Sequence, residues 1–587
     1  MKRKIYNLYL LLRSIPRADE LFLSFKSMFD ERVYSNKKHL KMAGEWLLKM
    51  QNKDGGYARK YSLAFGKDKS YIETTGYIIP SLFALSDFLK DKRFKESAIK
   101  ASNWLLSVQN KDGSFSEIDN NRAFAFDTGQ VLIGLNFIYK KTKDPKFLEA
   151  IKKASIWLVE NQEEDGSWEK VAYNSQKHTY YTRVAAALFE AGEILEDQKF
   201  KLAALKMIEW SLKNQLSNGF FKHSSFLEKT PPFLHTIIYV LEGLLDIYEY
   251  TKDPKILNAI LKSTETLKNI NLKRDLLLCS EYDENFNCLN RERCTTGLAQ
   301  WAGVALRVYE ITKDDAYKNL AVSTLFYLKA KQLKVGKNLK GSLLASIPFW
   351  GKYGSFDLVN WGVKFFIDAL LAEEKLSLKP REEQEIWVAQ CFLKTEVVST
   401  NLTPKDQKYL DEFKKSFKDL KSKKIRVLDL GCGRGKLLEE LEKNYPNWEI
   451  FGVDPLFWTQ KANIKRGSAY KIPFKDEYFD IILSVEVLQH TYLDFALKEI
   501  KRALKKDGFL VIGERNPFSI LGVLKPFFEL RGKWMYPWDS PFREKWLSKN
   551  RWKKILSKTG FRNCKILTIE GDGKKFVNRY FFIKAQI

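Results

Sequence analysis

The stretch AGEWLLKMQNKDGGY, Ala43 to Tyr57, returns three times without a gap: ASNWLLSVQNKDGSF from Ala101 to Phe115, ASIWLVENQEEDGSW from Ala154 to Trp168, and MIEWSLKNQLSNGFF from Met207 to Phe221. Their tryptophans, Trp46, Trp104, Trp157 and Trp210, recur about every 55 residues. Two fainter copies continue the series, around Leu267 in STETLKNINLKRD and around Tyr327 in STLFYLKAKQ. Each unit also carries a second apolar stretch, such as ETTGYIIPSLFALSDFL or VNWGVKFFIDALL, whose large residues recur at the spacing of a helix face. Several of these stretches stop at TKDP, Thr142 to Pro145 and Thr251 to Pro254, where proline ends a helix. A two-helix unit cannot bury its apolar face alone, so units must stack, and six of them favour a closed ring over an open solenoid. The fold class expected is multidomain: an all-α (α/α)6 toroid over residues 39–375, preceded by a helical extension over 1–38, then a second domain of another class.

The Trp-x4-Gln-x3-Gly-x-aromatic segments resemble the QW repeats of the prenyltransferase and terpenoid-cyclase toroid superfamily. That resemblance implies that each Gln bonds at the end of its outer helix and that the aromatic stacks nearby, tying neighbouring repeats together. It speaks to architecture more than to chemistry. Acid-initiated terpenoid cyclisation in that superfamily needs a D-x-D-D cluster, which this sequence lacks. Cys279, Cys288 and Cys294 share one loop with His235 upstream, but C-x8-C-x5-C is not a recognised zinc spacing, so no metal is expected.

Residues 376–424 are polar and charge-rich and read as a linker with one or two helices. After Lys424 the pattern changes to IRVLDLGCGRGKLLEELEK: an apolar strand, a glycine-rich turn, an amphipathic helix. Gly431, Gly433 and Gly435 alone are a weak signal. The next strand, WEIFGVD, ends in Asp454, where a doubly wound fold places the carboxylate that meets ribose hydroxyls. FDIILSVEVLQH, the helix LDFALKEIKRALKKDG and the strand FLVIGERN follow, so residues 425–587 are expected to form an α/β, Rossmann-like doubly wound domain. Asp429 with G-C-G-R-G, Asp454, Ile472 to Phe474, Val487 to His490 and Arg502 to Gly508 together resemble the class I S-adenosylmethionine-dependent methyltransferases. A nicotinamide-binding domain is the competing reading, but its third glycine would come one residue later.

The methyltransferase resemblance implies S-adenosyl-L-methionine as cofactor. Its donor site would be formed by Asp429, Gly431, Cys432, Gly433, Gly435, Asp454, Ser468, Ala469 and Glu486. Many family members carry Asp where Ser468 stands, so that contact to adenine would be weaker here. His490 and Glu486 are the catalytic candidates: His490 follows the fourth strand and can take a proton from a hydroxyl acceptor, or else shape the donor pocket. Arg515, Asn516 and Trp534 are candidates for acceptor binding, the last within the aromatic stretch WMYPWDSPFREKW where the family places a variable lid.

The inner helices of such a ring begin at a central cleft, and here those starts carry Glu73, Asp127, His178, Tyr180, Tyr181, Arg183, His235, Arg293, Gln300, Asn360 and Trp361. Carboxylates, tyrosines, histidine and arginine suit an acidic sugar, with Arg clamping a carboxylate; helix capping explains some of them more simply.

The chain has 587 residues, a net charge of +27 and 14% aromatic residues, which excludes a largely disordered protein. No stretch reaches the roughly 18–20 uncharged apolar residues of a spanning helix. The start, MKRKIYNLYLLLRSIPRADE, has a basic head and a short apolar run cut off by Arg13 and Pro16, and does not read as a signal peptide. Six scattered cysteines suggest a reducing cytoplasm. The positive excess is denser in the last third and suits an anionic partner, or reflects a Lys-rich genome. The expected function is methylation of a hydroxyl on a saccharide, glycolipid or envelope-polysaccharide precursor, with the toroid binding or remodelling the glycan. The alternative makes the toroid a non-catalytic scaffold that recruits a protein or lipid acceptor. No nucleic acid is expected, and contact with the inner face of a membrane is.

Overall fold

The computed structural model describes residues 2–117, 121–273, 277–395, 404–456, 461–517, 546–570 and 579–587. The chain divides into two compact units, Met1–Pro380 and Arg381–Ile587.

The first unit opens with α1 (Lys2–Arg13) and α2 (Ala18–Ser27). Outer and inner helices then alternate. The outer set is α3 (Asn36–Met50), α5 (Lys92–Val108), α7 (Pro145–Glu160), α9 (Gln198–Lys213), α11 (Pro254–Lys273) and α13 (Asp315–Lys331). The inner set is α4 (Ile72–Leu89), α6 (Ala125–Thr142), α8 (Thr182–Ile194), α10 (Leu234–Thr251), α12 (Thr295–Thr312) and α14 (Asn360–Glu374). Each inner helix packs against the next, and α14 returns to α4, so the ring is closed. Short strands β1 (Lys60–Ser62), β2 (Gly66–Lys67), β3 (Arg293–Cys294), β4 (Ser346–Ile347) and β5 (Asp357–Val359) tie loops at one end, with β5 pairing back to β1 across the closure.

The TKDP tetrads do more than stop a helix. Lys143 and Lys252 take left-handed backbone at φ 57° and 52° and end the inner helices, a position usually given to glycine. The following Asp144 and Asp253 accept from the amides of Lys146 and Lys255, capping the next outer helix.

The repeat glutamine is the fastener. Nε2 of Gln51 donates to the Gly55 and Ser97 carbonyls at 2.8 and 2.9 Å. Gln109 reaches Gly113 and Ala150, Gln162 reaches Gly166 and Ala203, and Gln215 reaches Gly219 and Ala259. Each therefore stitches its own turn to the next outer helix. In the faint sixth copy Gln332 bonds Gly341 O at 2.9 Å and His39 O at 3.2 Å, fastening the last unit to the first. Gly341 sits at φ 103°, and a Cβ there would lie 1.9 Å from Met42 O, so closure requires glycine.

The second unit begins with α15 (Pro380–Thr395) and α16 (Pro404–Ser416). These are the helices the sequence presents as a linker. Trp387 is buried, and Tyr409, Leu410, Phe413 and Phe417 share a core with sheet residues Val427, Ile481 and Val511, so both helices belong to this unit. The sheet contains β6 (Arg426–Leu430), β7 (Glu449–Asp454), β8 (Ile464–Arg466), β9 (Phe479–Val485), β10 (Leu504–Arg515), β11 (Arg562–Glu570) and β12 (Arg579–Gln586) in the order β11-β12-β10-β9-β6-β7-β8. β6 to β10 are parallel, and β12 runs antiparallel between β10 and β11. Helices α17 (Lys436–Asn444), α18 (Leu493–Ala503) and α19 (Lys549–Lys558) complete it. Strand order reverses between β6 and β9, which opens a crevice at their carboxyl ends.

Cys279 and Cys288, two of the six cysteines whose scatter suggests a reducing compartment, are joined in a disulfide. Among the described residues, no helix is long and apolar enough to cross a membrane.

Candidate functional site

The crevice in the second unit is built by backbone first. Gly431 N donates to Val453 O, turning the chain from β6 across the end of β7. Gly431 has φ 78°, and a Cβ on it would lie 2.2 Å from Val487 Cγ2, so bare backbone is required. Gly433 N donates to Asp454 Oδ2 at 3.0 Å, while Asp454 Oδ1 accepts from Leu456 N. Gly435 ends the turn at φ 78° and starts α17. Cys432 points inward and packs against Gly452; burial pushes its thiol up, away from reactivity.

Asp429 closes the floor. Its carboxyl is buried, and Oδ2 has no hydrogen-bond partner among the described residues. Burial, then the charges of Asp454 and of Asp406 on α16, raise its pKa to about 7. Three carboxylates stand around this bare glycine backbone. S-adenosylmethionine, cationic at its sulfonium and its amino group, suits their charge.

Ser468 and Ala469 lie just past β8 and are buried, with Ile472 in the core beyond. Glu385 on α15 lies near the Ser468 side chain, and burial raises its pKa. Neighbouring Gln384 accepts from the Tyr470 hydroxyl at 2.9 Å and donates to His490 O at 2.6 Å. α15 thus clips together the loops after β8 and β9. A linker reading of this helix concealed both residues; a helix of mixed polarity with four adjacent acceptors, Glu382 to Glu385, is the signal in the sequence.

Glu486 ends β9 at φ 55°, left-handed backbone that a glutamate adopts at a cost of about 1–2 kcal/mol. Its amide bonds Gly513 O, and its carboxylate accepts from Arg515 Nε at 3.0 Å. Glu514 Oε1 accepts from the Gln489 amide, and the His490 ring lies beside the Gln489 side chain. Asn516 is buried at the end of β10. Glu486, His490, Arg515 and Asn516 therefore gather at one end of the sheet, with Glu486 already bound to Arg515. Trp534, with most of its aromatic stretch, lies outside the described residues.

In the ring, the inner helix starts do meet, though not all as sequence suggests. The Tyr173 hydroxyl donates to Asp127 Oδ1 at 2.7 Å and shares a 3.1 Å contact with the Tyr71 hydroxyl. Asp127 is fully buried; burial and the nearby Glu73 hold its pKa well above the usual carboxylate range. Burial raises Glu73 to about 7. Asp127 Oδ2 and the hydroxyls of Tyr180 and Tyr239 are buried without partners among the described residues. Tyr180 stacks on the His178 ring, and Tyr181 stacks on Phe126.

Other candidates are already occupied. Arg183, expected as a carboxylate clamp, is paired with Glu242 at 2.7 Å and bonded to Gln130. Gln300 bonds the same Glu242 and contacts His235 Nδ1 at 2.6 Å; burial lowers the His235 pKa to about 3, leaving it neutral. Arg293 is buried and donates to the Leu277 and Leu278 carbonyls, a loop fastener. Asn360 donates to Ala58 O. Trp361 donates to the Tyr353 hydroxyl at 2.6 Å. It lines a cleft of about 330 Å³ with Arg59, Lys60 and Asp357. Tyr71, Tyr173 and Glu242 escaped notice because they lie in loops or within an apolar helix, where periodicity assigns them no role.

Residues 428–512 match the family model of a methyltransferase domain, and residues 20–242 match that of the squalene-hopene cyclase C-terminal domain. A demethylmenaquinone methyltransferase of Lactobacillus johnsonii is 32% identical over 182 residues, covering 26% of this chain and 73% of that protein. The chain belongs to the S-adenosylmethionine-dependent methyltransferases. Its cofactor is S-adenosylmethionine. A ubiquinone biosynthesis O-methyltransferase of Pelagibacter ubique is 30% identical, covering 19% of this chain and 54% of that one. The methyltransferase spans about half the length of most curated relatives it matches. Among solved structures, an unsaturated glucuronyl hydrolase specific for heparin is similar at a TM-score of 0.49 and 16% identity, covering 58% of this chain and 97% of that one.

Proposed function

We propose that this methyltransferase transfers a methyl group to a hydroxyl of a saccharide, glycolipid or envelope-polysaccharide precursor, and that its helical ring binds or remodels the same glycan. When bound, the cofactor supplies a methyl group on a sulfonium that leaves readily. Asp429 holds the donor's cationic amino end, Asp454 its ribose, and the glycine turn admits both. His490 receives the acceptor hydroxyl's proton, and the Glu486–Arg515 pair positions the acceptor side of the crevice.

The observation that carries the glycan reading is the ring centre. Asp127 Oδ2 and the Tyr180 and Tyr239 hydroxyls are buried polar atoms still needing partners, surrounded by aromatic faces. Polyhydroxylated ligands satisfy such groups with hydroxyls while their apolar ring faces stack on aromatics. The second reading, a scaffold ring recruiting a protein or lipid acceptor, draws support from the internal pairing of Arg183, Arg293 and His235.

Labelled-methyl transfer by the full chain to separated glycan, glycolipid, protein and lipid fractions tests these. Label in the glycan or glycolipid fraction, reduced at least tenfold by Asp127→Asn together with Tyr180→Phe, is the expected result. Label confined to protein, unaffected by those changes, would favour the scaffold.

A further inference from the structure

The helices α1 and α2 are turned inside out. On α1 the residues that face the ring are polar: Arg3 pairs with Glu292 at 2.6 Å, Asn7 bonds Trp350 O at 3.1 Å, and the Ser14 beyond its end is buried. Among its apolar residues Leu10 turns inward. On α2 the buried residues are Glu20, Ser24 and Ser27, with Glu20 accepting from the Tyr61 hydroxyl. Most of the apolar residues of α1, with Phe22 and Phe25 of α2, point the other way. Ile5, Leu8, Leu12, Ile15 and Phe22 are 60%, 56%, 56%, 62% and 63% exposed. Tyr6, Tyr9 and Phe25 are exposed beside them. Phe65, at the tip of the β1–β2 turn, extends the patch by contact with Tyr9 and Arg13. An exposed apolar surface of this kind, contributed by three separate segments, is rare on a protein whose only neighbour is water.

We propose that this face docks on an anionic membrane surface, lying in the interface without crossing it. Three features select a membrane over a protein groove. The face is the outside of helices, presenting projecting side chains in place of a cleft. Its cations, Lys4 and Arg13 on opposite flanks of α1 and Lys26 beside Phe25, fringe the apolar stripe where long side chains reach headgroups as the stripe sinks into acyl chains. The chain's net charge of +27 then favours the same anionic surface. With only twelve residues, α1 is too short to span a bilayer. This inference stands apart from the identity of the methyl acceptor, since none of these residues belongs to either candidate site.

Flotation of the full chain with vesicles of phosphatidylcholine, alone or with about 30% phosphatidylglycerol, tests it. The protein is expected to float with the anionic vesicles and to release progressively as salt rises from about 0.1 to about 0.5 M. Leu8→Ser with Leu12→Ser and Phe22→Ser should weaken partitioning at least tenfold with thermal unfolding unchanged. Lys4→Glu with Arg13→Glu and Lys26→Glu should abolish the preference for anionic lipid. Failure to float with either vesicle, or flotation indifferent to the apolar substitutions, overturns the proposal. So does a vesicle-free dimer that the apolar substitutions dissociate, because the face would then belong to a second copy of the chain.

Discussion

Asp429 concentrates the chemistry of the crevice in one carboxyl. It is held near a pKa of about 7 because burial and two neighbouring carboxylates oppose its charge, and a cationic donor reverses that balance. Donor affinity should therefore fall as pH drops through about 7, approaching tenfold per unit below it. Binding at pH 7 should release protons, measurable by calorimetry in buffers of different ionisation enthalpy. The sign for stability is opposite. With a folded pKa above the unfolded value, Asp429 costs the free protein stability progressively as pH rises from about 4 to about 7, and in full above that. Asp429→Asn should raise the melting temperature at pH 8 and lose that advantage towards pH 4, while weakening binding of S-adenosylhomocysteine. The need for bare backbone at Gly431 was legible in the motif. The partnership of Ser468 with Glu385 was not, because the two are far apart in the chain and no local pattern links them. Glu385→Ala in the full chain should weaken S-adenosylhomocysteine binding, because it removes the buried side chain beside Ser468.

Elements show a different division. The QW-like repeats named the outer helices and their glutamines directly, since Trp, Gln and Gly recur at one spacing for one geometric task. What repetition could not convey was how the ring closes. Gln332 sits in one of the two faint copies, followed by a longer loop before Gly341, yet it makes the bonds its counterparts make. Gln332→Leu would leave the His39 and Gly341 carbonyls without this donor, destabilising the first unit by about 1–3 kcal/mol in chemical denaturation. Gly341→Ala should cost more, since both its φ and the Met42 carbonyl oppose a side chain. Fold class was likewise readable for the sheet, from alternating strands and helices. The assignment of α15 and α16 was not, because their charge-rich sequence resembles a tether; only Tyr409, Phe413 and Phe417 seated against the sheet assign them to a core. A fragment of residues 381–587 is accordingly expected to bind S-adenosylhomocysteine, and one of 421–587 to lose it.

For the whole molecule, two compact units predict two unfolding transitions. Calorimetry with S-adenosylhomocysteine at about a hundred times its dissociation constant should stabilise one transition by about 2.7 kcal/mol and leave the other in place. Sequence alone determined the number of helical hairpins and the class of the second domain, and the family resemblance implied the cofactor. The first two rest on short-range patterns: a helical period, a repeated turn, a glycine-rich loop after an apolar strand. Only the tertiary structure decided which charged residues are available to ligands. Arg183, Arg293 and His235 looked like binding groups until their partners, distant in sequence, appeared beside them. The apolar run of α1 reads in the sequence only as a short stretch behind a basic head; the structure sets Arg3 and Asn7 against the ring and Ile5 and Leu12 against solvent. A sequence records that a helix has two faces; which face is buried depends on what packs against it, and that is settled only when the chain has folded.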